Sequence, residues 1–488
     1  MQILRIGIST DVDNWFLDRF PDGDARFVWS QVYGTLVRLT PDLELTEGLA
    51  TDWESGNGGK SWVFTLREGV TFHDGTPFDA EAVAFSYGPD SYAAKATLRP
   101  LERVEAIDEH TVRFVLQRPL PLPYYLTHIG WPIMSPSCMN EAGEFTRPIG
   151  TGPWMLEEHK NEQEIILSRN DDYWGGTPEL EKVIFKVIPE AAARVIGLES
   201  GELDMIVKVP ETDVARLEEA PGIQVHRKTS TFTDFIQFNC ERPPFSDIAV
   251  RPAVAHAIDT ETLVTETLDG VGIAAHGRPF APVMKYDKKD LDLVDFDPES
   301  SRRLLSEAGW HTIEGSDIRV KDGEPLSALM LVNPGANVAS GSRFQLMAQA
   351  IQAQLRNIGI DMRIRLLERG AFVSAEAAGE FDMLLRTGFY VWGAYPRHFF
   401  LHFSQNEYSH YTDAEYDRLI VQADAAPDEQ TRRELYHRLQ EQTIKRMPAF
   451  YMVHQEKIVA TRKTVAGYQI SSEPPWLNLS GVRVFAEE

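Results

Sequence analysis

Apolar and polar residues alternate over Ile3 to Ser9, over Trp62, Phe64 and Leu66, and over Thr111 to Leu116, the period-two pattern of half-buried strands. Phe27 to Leu36 reads as a short helix carrying Tyr33 before a turn at Gly34. Trp53 to His73 reads as a hairpin that turns at Glu68-Gly69, with Val70 and Phe72 on its return arm. Asp79 caps a helix over Ala80 to Tyr87. Beyond it, strands at Glu164 to Ser168 and Lys182 to Pro189, a helix over Ala191 to Ser200 ended by Gly201, and a strand at Leu203 to Val207 make an α/β alternation. The strand-like Phe235 to Asn239 meets Pro243-Pro244, a candidate crossing between domains. In DPESSRRLLSEAGW, Asp297 takes the N-cap, Pro298 the first helical position and Gly309 the place just past the end. Phe344, Met347, Ile351, Leu355 and Ile358 form one helical face before Gly359 turns the chain into a strand at Asp361 to Leu366. Thr412 with Glu415 reads as a capping box, and Ala449 to Val453 as a late strand.

One segment combines several kinds of side chain. Phe381 to His410 opens as an apolar strand, breaks at Gly388 and Gly393, and then presents Trp392, Tyr395, Arg397, His398, His402 and His410. Apolar walls with a few orienting polar groups suit a small-ligand pocket. A core strand followed by an ordinary surface loop fits the same letters.

At 488 residues the chain exceeds what one hydrophobic core serves, so two or three domains are expected. Hydrophobic residues at 43% and charged residues at 25% are those of a globular protein, and the apolar runs fall far short of the roughly 20 residues that span a bilayer. A net charge of −25 disfavours nucleic acid and anionic membranes as partners. Cys138 and Cys240 are the two cysteines, enough for one disulfide and too few for a cysteine-rich framework. MQILRIGISTDV enters a strand pattern with no signal-peptide design, so either a leader has been removed or the protein is cytoplasmic.

Motifs for catalysis do not assemble. Ser55-Gly56-Asn57-Gly58-Gly59-Lys60-Ser61 imitates the end of a P-loop, but Glu54 stands where the first glycine is required, so a hairpin turn is expected. Gly150-Thr151-Gly152 lacks the third glycine of a dinucleotide fingerprint and reads as a turn. Gly-x-Ser-x-Gly and His-Glu-x-x-His are both absent. His398 and His402 are spaced for a shared metal on a helical turn, with His410 to close the set, although Phe399, Phe400 and Leu401 between them equally suit a packed turn. Arg397 suits a bidentate carboxylate contact.

Several long stretches resemble one family. VYGTLVRLTPDLELTEGLATDWE, WVFTLREGVTFHDGTPFDAEAVAFS, the segment from PIGTGPW through DYWGG to VIGLESGELDM, FNCERPPFSDIAVRPAVAHAIDTETLV, DPESSRRLLSEAGW and LMAQAIQAQLRNIGIDMRIRLLE are similar, in order, to the extracytoplasmic solute-binding proteins of bacterial ABC importers, in the family 5 peptide and nickel branch. The resemblance implies an α/β fold: a two-lobed periplasmic-binding-protein clamp (type II, cluster C) with an additional inserted α+β domain. Domain I would comprise 1–42, 157–240 and 470–488, domain II the inserted 43–156, and domain III 241–469. It implies a binding protein, not an enzyme, that captures a small polar carboxylate-bearing solute (a short peptide, an amino-acid derivative or a nickel or other metal chelate) and delivers it to permease subunits, as a monomer in the periplasm or another extracytoplasmic space. The metal would be cargo, with no resident cofactor. A ligand-sensing module of the same fold inside the cell is the alternative, and an enzyme on this scaffold a more distant one.

The resemblance also implies a site. Trp392, Tyr395, Arg397, Arg26, Arg99, Trp131, Phe232 and His398 would line it, with His410 and His402 as metal contacts. Peptide-binding relatives hold the ligand's amino group with an aspartate shortly after the pocket tryptophan; here Trp392-Gly393-Ala394-Tyr395-Pro396-Arg397 brings no acid until Glu407. A buried ammonium without an anionic partner is costly, so a plain dipeptide is disfavoured.

Overall fold

The computed structural model describes residues 2–18, 23–88, 91, 100–333, 343–387, 391–392, 395–396, 404, 406, 408–426, 428–473 and 477–486, with backbone only for 391–392 and 395–396. The chain divides into two compact units, Met1–Lys228 with Trp392–Tyr395 and Lys457–Glu488, and Thr229–Val391 with Pro396–Glu456.

In the first unit the strand Ile3–Ile8 is central, parallel to Lys182–Val187 on one side and to Met205–Val207 on the other. The helix Ala191–Ser200 makes the crossover between those two neighbours and ends at Gly201, whose φ of +80° is the left-handed cap that glycine adopts without strain. Glu164–Arg169 and Trp154–Lys160 extend the sheet antiparallel. The same unit holds a separate four-stranded antiparallel sheet in the order Ala50–Gly56, Ser61–Leu66, Thr111–Leu116, Leu101–Asp108. Beside it lies the helix Ala80–Ser86, capped by Asp79, which accepts a hydrogen bond from the Ala82 amide at 2.9 Å.

In the second unit Asp361–Leu366, Ser327–Val332 and Met383–Thr387 run parallel, as the continuous apolar run Ala328 to Val332 in the middle strand suits. Residues 234–238 add antiparallel to the last of them, pairing Asp234 with Thr387. The helix Arg343–Arg356 buries Phe344, Met347, Ile351 and Leu355 into the same core as Met330 and Met362. Each such side chain contributes about 1.5–3 kcal/mol on burial.

Three local expectations change. The hairpin closes at Asn57–Gly59 and pairs Trp53 with Phe64, so Val70 and Phe72 belong to no return arm. The helix near Phe27 is Ala25–Val32, shorter at its end than the apolar run suggests. The cap of Ala414–Asp424 is Asp413, not Thr412: its carboxylate accepts from the Glu415 and Tyr416 amides at 3.0 Å, and a fixed carboxylate outcompetes a neighbouring hydroxyl for those donors. Cys138 and Cys240 are free thiols.

Candidate functional site

Ligands of open α/β sheets bind beyond the carboxyl ends of the parallel strands. In the second unit those ends are Val332, Leu366 and Thr387. A buried polar group gathers there. Asp234, fully buried, forms an ion pair with Arg343 at the start of its helix. Gln455 donates to Asp234 Oδ1 at 2.5 Å and to Thr387 Oγ1 at 2.7 Å. One residue along, Thr233 Oγ1 meets His454 Nδ1 at 2.9 Å. Phe232 lies two residues before Asp234 on the same strand, so both point to one face. A second buried pair, Arg386 with Glu376, stands behind; Arg386 also donates to Gln237 at 2.9 Å. Burial raises the Glu376 carboxyl above its usual value despite the opposing charges of Arg386 and His410.

In the first unit Arg26 lies in the first turn of Ala25–Val32, immediately after the buried Asp24. Burial opposes ionisation of Asp24, but the Lys208 ammonium at 2.6 Å and the Ser9 hydroxyl and amide hold its carboxyl below the usual range. Burial, then the charge of Arg26, keep the His128 imidazole well below its ordinary value and therefore neutral; its Nδ1 accepts from the Gly130 amide at 2.9 Å. His128 packs against Trp131, which stacks on Tyr125 at 6.3 Å. Arg26 and Trp131 thus flank one neutral histidine.

Of the remaining residues singled out by sequence, Arg99, Arg397, His398 and His402 lie outside the described residues. Trp392 and Tyr395 are described by backbone alone, in the paired strands Val391–Trp392 and Tyr395–Pro396. His410 directs Nε2 to the Glu376 carbonyl at 2.7 Å, and its Nδ1 lies 3.4 Å from Glu241 Oε2. Among the described residues no three His, Cys, Asp or Glu side chains gather as a metal site. Sequence reasoning passed over Asp234 and Arg343. The available signal was a lone acid inside the apolar run TFTDFIQF.

The family model for bacterial extracellular solute-binding proteins, family 5 (middle), matches residues 44–410. The chain belongs to that family. Like the other family 5 proteins it is a solute-binding protein of transport and not an enzyme. It is 32% identical over 394 residues to the nickel-binding periplasmic protein of Escherichia coli (strain K12), covering 78% of this chain and 73% of that one. It is 28% identical to the oligopeptide-binding protein AppA of Bacillus subtilis (strain 168), covering 92% and 85%. Among solved structures, NikA from Brucella suis in complex with Fe(III)-EDTA superposes with a TM-score of 0.90 at 26% identity, over 99% of this chain and 100% of that one. AppA from Bacillus subtilis in complex with a nonapeptide gives 0.81 at 25%, over 99% of each. The match to family 5 structures therefore covers 99% of the chain.

Proposed function

We propose that this family 5 protein captures a small polar solute bearing carboxylates, a metal chelate in preference to a free dipeptide, and delivers it as a monomer to the permease subunits of an ABC importer from an extracytoplasmic space. The observation that carries the reading is the likeness to NikA of Brucella suis, at a TM-score of 0.90 against 0.81 for peptide-bound AppA. The ligand in the former is a polycarboxylate chelate. The missing acid after Trp392 supports the same preference.

In this reading Arg26, Arg99 and Arg397 balance ligand carboxylates, Trp392, Tyr395, Phe232 and Trp131 supply walls, and His398 an orienting contact. His402 and His410 are the metal contacts, His410 through Nδ1 in place of its 3.4 Å contact with Glu241, because Nε2 meets the Glu376 carbonyl at 2.7 Å. Domains of 1–42 with 157–240 and 470–488, of 43–156 and of 241–469 are the proposed bodies. Closure on the ligand converts binding into a shape that a permease reads.

Native mass spectrometry of protein purified without denaturation, with metal analysis alongside, tests this. The expected result is one metal and one small organic ligand per chain, the metal lost on changing His402 and His410. An apo protein stabilised by di- or tripeptides and indifferent to nickel with polycarboxylates would overturn it.

A further inference from the structure

The first unit contains a cavity of about 150 Å³ lined by residues that the proposed solute site does not use. Ser30, Gln31, Arg38, Trp154, Tyr173 and Ser471 are among its walls. Two of its donors stand out. The indole Nε1 of Trp154, on a fully buried side chain, meets no acceptor among the described residues, and neither does Arg38 Nε. The Arg38 guanidinium donates through Nη2 to the Tyr173 hydroxyl and lies 4.5 Å from the Trp174 ring centroid. No carboxylate pairs with it among the described residues, in a chain whose acids outnumber its bases 73 to 48. A second guanidinium, Arg67, lies 4.8 Å from the same indole but is paired with the Glu47 carboxylate at 2.8 Å, which leaves Arg38 as the cation for an anion here.

A buried N–H without an acceptor and a cation without a counter-ion each carry a penalty that an anion removes. Both donors belong to side chains that line one cavity, and roughly 150 Å³ is enough for a benzene-sized guest. We propose that this cavity, between the Pro153-Trp154 turn and Tyr173, is a binding site for a small oxyanion, a carboxylate or phosphate, held by Arg38 and Trp154. The trigonal or tetrahedral oxygens accept from Arg38 Nε and Trp154 Nε1, with the Ser30 and Ser471 hydroxyls at the wall. Occupancy would tie the PIGTGPW and DYWGG segments together.

The test is a titration of full-length protein labelled with ¹⁵N-tryptophan, at constant ionic strength, with sodium acetate in one arm and sodium phosphate in the other. The Trp154 indole resonance is assigned by its loss in Trp154→Phe. The expected result is a saturable downfield shift of that resonance, with affinity weakened at least about tenfold in Arg38→Met and largely retained in Arg38→Lys. Saturation by one anion alone names the source. No saturable shift with either anion, or equal affinity in Arg38→Met, overturns the proposal. Should Arg38→Met fail to fold, equal affinity in Arg38→Lys and Arg38→Gln overturns it as well.

Discussion

Arg343 closes onto the carboxylate of Asp234, both buried, at the carboxyl end of the parallel strands in the second unit. Two desolvated charges at that depth are stable because each has the other and because Gln455 donates a hydrogen bond to Oδ1 of the acid.

Removing one member alone should therefore be severe. Asp234→Ala is expected to lower unfolding stability by about 3–5 kcal/mol, since it removes the carboxylate that faces a buried guanidinium. The double variant Asp234→Leu with Arg343→Met should recover most of that loss. Guanidinium chloride unfolding of the three proteins checks this; a single variant within about 1 kcal/mol of wild type would contradict it.

The PIGTGPW turn depends on close backbone approach. A Cβ at Gly150 would lie 2.1 Å from the Val32 carbonyl oxygen and 2.7 Å from the Tyr33 ring. Gly150→Ala should cost about 2–4 kcal/mol, as overpacking against backbone does. Gly222→Ala meets nothing within 4 Å and should stay within about 0.5 kcal/mol. Thermal melts of both distinguish a local clash from a general intolerance of change.

His73 locks the same turn. Its Nδ1 accepts from the Gly150 amide at 3.3 Å and its Nε2 faces the Gly152 carbonyl at 3.0 Å, which fixes the neutral Nε2–H tautomer. Burial pushes its value down to about 4 from 6.5, against the opposing influence of the Gly152 carbonyl and Asp74. Between those values the unfolded chain binds a proton that the folded chain does not. Stability should be level above pH 6.5 and fall as pH drops towards 4, by at most about 1.4 kcal/mol per unit from this group. Unfolding free energies of wild type and His73→Gln across this window should differ in slope; parallel curves would exclude the assignment.

Lys457 gives the opposite edge. Its Nζ donates to the Glu473 carbonyl oxygen at 3.1 Å, and burial lowers its value from 10.5 to about 7, with the Glu473 charge opposing. Above pH 7 the folded lysine is neutral while the unfolded one stays protonated until about 10.5. Its contribution to stability should rise with pH through that range, and the destabilisation from burying its charge should be complete below 7. The pH profile of Lys457→Met with Glu473→Gln should lack this rise between pH 7 and 9.5. A double variant that keeps the slope would place its origin elsewhere.

Much of the local structure was legible in the letters. Asp79 and Asp297 cap where their positions require, because a short acid before an apolar periodic run has the N-terminal amides within reach whatever the rest of the chain does. Gly201, Gly309 and Gly359 all adopt positive φ where the helices they follow end. The family resemblance, carried by PIGTGPW and DYWGG among other segments, agrees with the family match over 44–410.

Sequence alone determined most of what depends on neighbours along the chain: strand and helix periods, caps such as Asp79 and Asp297, and the family. It did not determine the extent of the hairpin, which turns at Asn57–Gly59 and leaves out Val70 and Phe72, or the cap at Asp413. Tertiary structure decided partners. That Asp234 faces Arg343, that His410 spends one nitrogen on the Glu376 carbonyl, and that Arg38 and Trp154 share a cavity follow from segments far apart in sequence being brought side by side. Charge pairing and burial are properties of that juxtaposition, since the cost of desolvating a charge is set by what surrounds it and not by the residues that precede it.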